Sequence, residues 1–108
     1  MSDSEFIRVC SVSDVPEGEA RAFKRDGIEI AIVRSEGKFY AIHNVCSHEH
    51  EHLHEGWIEG EQIECPRHGA QFDLKTGKAL SLPATNAISV YEVKIEGEDV
   101  LVAMRDEG

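Results

Sequence analysis

The chain has 108 residues, 41% apolar and 30% charged, with a formal net charge of −10 from 21 acidic and 11 basic side chains. That length fits one domain with a thin-margined core, and that apolar share excludes a disordered chain. So acidic a surface repels nucleic acid and anionic membranes; it suits a basic protein partner or serves solubility alone.

In chain order, the acidic start MSDSEFIRVC has neither the basic residues nor the apolar run of a signal peptide. No later stretch reaches membrane-spanning length, so a cytoplasmic protein is expected. Phe6–Cys10 alternates apolar and polar residues, and Ser13-Asp14-Val15-Pro16 predicts a single helical turn. Ile28–Arg34 is rich in β-branched residues, and Phe39–His43 follows the turn Glu36-Gly37. Gln62–Cys65 is short, and Gln71–Leu74 leads into the turn Lys75-Thr76-Gly77. Ser89–Ile95 alternates as one strand, and Val100–Met104 follows the turn Gly97-Glu98-Asp99. Short strands between turn signals predict an all-β fold, an antiparallel β-sandwich or small, partly open barrel.

The stretch from Asn44 to about Pro83 breaks this pattern. It holds five of the six histidines, two of the three cysteines and many turn residues. It reads as a loop-rich subdomain, about 44–83, inserted into a single domain spanning 1–108.

An odd number of cysteines (Cys10, Cys46 and Cys65) in a cytosolic chain argues for ligands or free thiols over a disulfide framework. Cys46-Ser47-His48 and Cys65-Pro66-Arg67-His68 each offer one thiolate and one imidazole, with sixteen residues between the two groups. Thiolate is soft enough for iron–sulfur clusters or zinc, and imidazole is a neutral ligand. A Cys₂His₂ set could hold tetrahedral zinc, or a [2Fe–2S] cluster with both cysteines on one iron and both histidines on the other. Zinc sites usually pair like ligands, whereas here each loop pairs unlike ones. Unlike pairs suit a cluster inserted edgewise between two loops. Cys46 and Cys65 would then take the inner iron, and His48 and His68 the outer iron near the surface. Zinc, and unrelated core cysteines and histidines, are the alternatives.

This pattern resembles the Rieske family, and most closely the small ferredoxin components of bacterial aromatic-ring dioxygenases of the biphenyl type. The resemblance runs from about Ile28 to Met104 and extends past the ligands. Leu53 and Gly56 stand where the first family loop has Leu-x-x-Gly, and Gly56-Trp57-Ile58-Glu59-Gly60 is similar to its glycine–aromatic turn. Glu64 to Asp73 resembles the second loop, Thr76-Gly77-Lys78-Ala79 the following turn, and Pro83 part of a third loop that covers the cluster. One departure is the run His48-Glu49-His50-Glu51-His52-Leu53-His54, where relatives often carry small residues. His50, His52 and His54 are read as solvated loop positions rather than extra ligands, because Cys-x-His spacing selects His48.

The resemblance implies one Rieske-type [2Fe–2S] cluster in a soluble one-electron carrier, and no catalytic residues of its own. Its protein partners would be a flavin-dependent NAD(P)H reductase and a terminal oxygenase of aromatic hydrocarbon catabolism. No nucleic-acid or membrane partner is expected, and the carrier would be a monomer. A small Rieske subunit of a nitrite reductase or related complex is the alternative function, and a zinc-bound interaction module is a third. High-potential relatives have paired loop cysteines and a serine and a tyrosine hydroxyl near the cluster. Glu51, Arg67, Ala70 and Phe72 stand at those positions here, so a potential near the lower end of the Rieske range is expected. Among the remaining residues, Cys10 is expected to be a small buried hydrophobe, Trp57 to pack its loop, and His43 to be structural. Arg67 could face a partner or balance local acidic charge.

Overall fold

Strands of two to eight residues build the fold. The computed structural model describes residues 6–25, 27–44, 56–65, 71–80 and 88–103. The strands are β1 (Phe6–Ser11), β2 (Ala20–Arg25), β3 (Ile28–Ser35), β4 (Lys38–His43), β5 (Trp57–Glu59), β6 (Gln62–Glu64), β7 (Gln71–Asp73), β8 (Val90–Tyr91), β9 (Val93–Glu96) and β10 (Asp99–Ala103). A single 3₁₀ turn, Val12–Asp14, covers part of the expected helical turn. Among the described residues the strands form three antiparallel sheets, ordered β1-β10-β9, β2-β3-β4-β8 and β5-β6-β7. The all-β, antiparallel expectation holds.

The central sheet is covered on both faces. Ile30 and Ile32 of β3 pack with Val9, Cys10, Tyr91, Val100 and Val102. Ala31 and Val33, pointing the other way, pack with Ile63, Cys65, Phe72, Leu74 and Ile88. A strand buried on both faces has no polar side, which is why Ile28–Arg34 reads as an almost unbroken apolar run.

Two strands were not predicted, and one prediction divides. β2 carries exposed Arg21 and Lys24 on a sheet edge, where charge guards against unwanted pairing and dilutes the apolar pattern. β5 spans only three residues. The alternating stretch Ser89–Ile95 is two strands: β8 pairs with β4, and β9 pairs with β10. The chain changes sheets at Glu92, whose carbonyl accepts the Ala103 N–H at 3.0 Å. Alternation persists across the change because Tyr91 of β8 and Val93 of β9 pack with the same core cluster, so the pattern hides the break.

Candidate metal centre

β6 and β7 form a hairpin with Gln62 opposite Asp73, Ile63 opposite Phe72 and Glu64 opposite Gln71. The segment joining them begins with Cys65-Pro66-Arg67-His68. β5 runs antiparallel to β6 and sets Trp57 opposite Glu64. The segment carrying Cys46-Ser47-His48 therefore enters this small sheet at the same end where the Cys65–His68 segment leaves it.

Cys65 lies one residue past β6, fully buried and packed in the cluster that contains Ile63, Phe72 and Leu74. Asn44 lies one residue past β4 and is also fully buried. Its N–H donates to the Glu29 carbonyl at 3.0 Å, and its side-chain amide donates to the Glu29 carboxylate at 2.8 Å. Burial of an amide is costly unless it is bonded, so this pair fixes the chain two residues before Cys46.

The far end of the small sheet is tied to the core. The Ser35 hydroxyl donates to the Gly60 carbonyl at 2.7 Å, and the Leu74 N–H donates to the Glu61 carbonyl at 2.8 Å. The Tyr40 hydroxyl meets the Glu61 carboxylate at 3.4 Å. Burial first, and then the Glu61 charge, push the Tyr40 hydroxyl pKa above its ordinary value. After β7, Gly77 takes φ +79° and accepts the Ile88 N–H at 2.8 Å. A Cβ here would lie 2.0 Å from the Ile88 carbonyl oxygen. Only glycine permits that approach, which seats the chain where the 81–87 segment returns to the core.

Of the expected ligands, Cys65 is placed as a buried thiol; Cys46, His48 and His68 lie outside the described residues, as do His50, His52, His54, Arg67, Ala70 and Pro83. A soft sulfur donor in dry, apolar surroundings, beside an aromatic ring, fits an iron–sulfur cluster. Cys10 is buried as expected, and burial pushes its pKa up to about 11. His43 ends β4, its N–H donating to the Ser89 carbonyl at 2.9 Å. Trp57 is 62% exposed, more open than a packing role predicts, and the loop it was expected to pack lies outside the described residues. Period two could have shown this, since it puts Trp57 on the same face as Glu59 and opposite to Ile58. Sequence reasoning missed the Asn44–Glu29 pair, although the Glu36-Gly37 turn sets the β3–β4 register and the next position of that register places Glu29 opposite Asn44.

The family profile of the Rieske [2Fe–2S] domain matches residues 5–106. The chain belongs to the Rieske family. This Rieske domain is 47% identical over 97 residues to the ferredoxin subunit of 3-phenylpropionate/cinnamic acid dioxygenase of Shigella flexneri serotype 5b, covering 89% of this chain and 91% of that one. The ferredoxin of carbazole 1,9a-dioxygenase from Nocardioides aromaticivorans IC177 superposes with a TM-score of 0.88 at 36% identity, covering 94% of this chain and 100% of that one. A second solved structure, a complex of reduced oxygenase and oxidized ferredoxin in carbazole 1,9a-dioxygenase, matches with a TM-score of 0.88 at 34% identity, covering 98% of this chain and 99% of that one. The Rieske domain carries one [2Fe–2S] cluster, and its role is that of a ferredoxin, an electron carrier rather than a catalyst. No helix among the described residues is long and apolar enough to cross a membrane.

Proposed function

We propose that this Rieske domain is a monomeric, cytoplasmic ferredoxin that accepts electrons from a flavin-dependent NAD(P)H reductase and delivers them to a terminal ring-hydroxylating oxygenase. Cys46 and Cys65 hold one iron, and His48 and His68 hold the other. The four ligands belong to a cluster-binding subdomain of about 44–83 within one domain. The observation that carries this reading is the Trp57–Glu64–Gln71 row, which joins both Cys/His segments to one end of one sheet. The dioxygenase relatives favour an oxygenase system over a nitrite reductase.

When bound, the cluster supplies one-electron redox chemistry at potentials set by its mixed ligands. The chain's own residues supply rigidity and exclusion of water. Ile63, Phe72 and Leu74 keep water from the Cys65 sulfur. Asn44 and Glu29 hold the start of one ligand segment, and β6 and β7 hold both ends of the other. A site mounted on rigid strands rearranges little between its two charge states.

The test is ligand substitution combined with electron transfer. His48→Ala or His68→Ala should abolish the Rieske EPR signal, whereas His50→Ala, His52→Ala and His54→Ala should retain it. The holo-protein should restore NADH-driven turnover to purified reductase and terminal oxygenase. Loss of the signal in His50→Ala with retention in His48→Ala would overturn the ligand assignment. A colourless zinc protein would overturn the function.

A further inference from the structure

We infer that the outer face of the β5-β6-β7 sheet, centred on Trp57, is the docking surface for a basic patch of the terminal oxygenase, an arginine or lysine of which lies over the indole beside Glu59 and Glu64. The inference rests on the reading that an oxygenase receives the electron.

The register decides which side chains share this face. Ile58, Ile63 and Phe72 form one row across the sheet and turn inward to the core. The rows on either side are Trp57–Glu64–Gln71 and Glu59–Gln62–Asp73, and they turn outward. The outward set holds three carboxylates, two amides and the chain's single tryptophan, with no basic residue.

Trp57 is 62% exposed, against 42% for Ile95 and 41% for Leu80, the other exposed large apolar residues among those described. One exposed apolar side chain is ordinary. The setting makes this one different. Among the described residues Glu59 has no hydrogen bond or ion pair, and Glu64 there accepts from the Gln71 amide at 3.4 Å. An indole face is negative, and carboxylates beside it deepen that potential, so the patch repels anions and selects a cation. Tryptophan and arginine are also among the residues enriched at energetically dominant interface positions. The Trp57–Glu64–Gln71 row is where the described sheet continues in the chain into both Cys/His segments, which connects this face to the ligand-bearing loops.

The chain's single tryptophan makes the test direct. Holo-protein labelled with 5-fluorotryptophan is titrated with unlabelled terminal oxygenase, in the oxidised state at low salt, and followed by ¹⁹F NMR. The resonance should shift and saturate. Trp57→Ala and Glu59→Lys should each weaken oxygenase affinity about tenfold or more, with the EPR signal unchanged. Glu98→Lys, the same charge change in the β9–β10 turn, should weaken it less than twofold. Equal effects of Glu59→Lys and Glu98→Lys would show that net charge alone matters and overturn the inference. So would an unmoved resonance at saturating oxygenase, or one that responds only to the reductase. Failure of the wild type to pass electrons to the oxygenase would overturn the oxygenase reading itself, and this assignment with it.

Discussion

Replacing Gly77 with alanine separates two costs that usually travel together. Gly77 and Gly97 both adopt left-handed backbone, at φ +79° and +63°, where an L side chain costs about 1–2 kcal/mol. A Cβ at Gly97 meets open space. A Cβ at Gly77 lies 2.0 Å from the Ile88 carbonyl oxygen and 3.1 Å from both its carbonyl carbon and Val90 Cγ1. Backbone cannot rotate away, so the contact must open. Opening loses the 2.8 Å hydrogen bond from the Ile88 N–H to the Gly77 carbonyl, worth about 0.5–1.5 kcal/mol net. It also wets Ile88, now 6% exposed; complete burial of such a side chain contributes about 1.5–3 kcal/mol, and half of that is a reasonable loss. Gly77→Ala should therefore cost about 1–3 kcal/mol more than Gly97→Ala, a large part of the roughly 5–15 kcal/mol available to a domain. In thermal melts of the two holo-variants, followed by far-UV circular dichroism, that difference corresponds to roughly 4–20 °C in Tm. Equal midpoints within about 2 °C would show that the Gly77–Ile88 approach does not hold this segment.

Asn44→Ala removes the 2.8 Å amide donor to Glu29 and should cost about 1–3 kcal/mol, read as a lower Tm and a lower iron content per chain at the same expression level. Cys10 titrates at about 11 when folded and lower when unfolded, so the folded state favours the protonated thiol. Its contribution is fully present below the unfolded pKa and is lost as pH rises through the folded one. The wild type should therefore lose more stability than Cys10→Ala between about pH 9 and 11, and the native thiol should resist iodoacetamide at pH 8. The wild-type potential should lie near −150 mV, the lower end of the Rieske range, and a voltammetric value above about +100 mV would refute this. Phe72 shares its fully buried cluster with Cys65, so the hydroxyl of Phe72→Tyr needs a bonding partner there. A bond to a cluster or ligand sulfur should raise the potential by about 40–90 mV, whereas a lower Tm without that rise would show an unsatisfied hydroxyl.

Local chemistry was legible in the linear chain. A thiolate and an imidazole two or three positions apart mark a candidate ligand pair whatever the fold, and alternation over a few residues marks a strand; the resemblance of the two loops to the Rieske family, which implies the cluster, is read from the same local stretches. The tertiary structure decided what depends on distant partners. Alternation continues through Glu92, and only the pairing of β8 with β4 and of β9 with β10 reveals the change of sheet. Trp57 in sequence is one more aromatic residue in a turn; burial of Ile58 against the core turns it outward beside Glu64. Gly77 finds Ile88 because the chain closes over a shared core, and no local propensity encodes that meeting. The proposed ligand pairs rest on local spacing, which sequence carries by itself; the register that aligns Trp57, Glu64 and Gln71 in one row depends on which side chains are buried, which the tertiary structure sets.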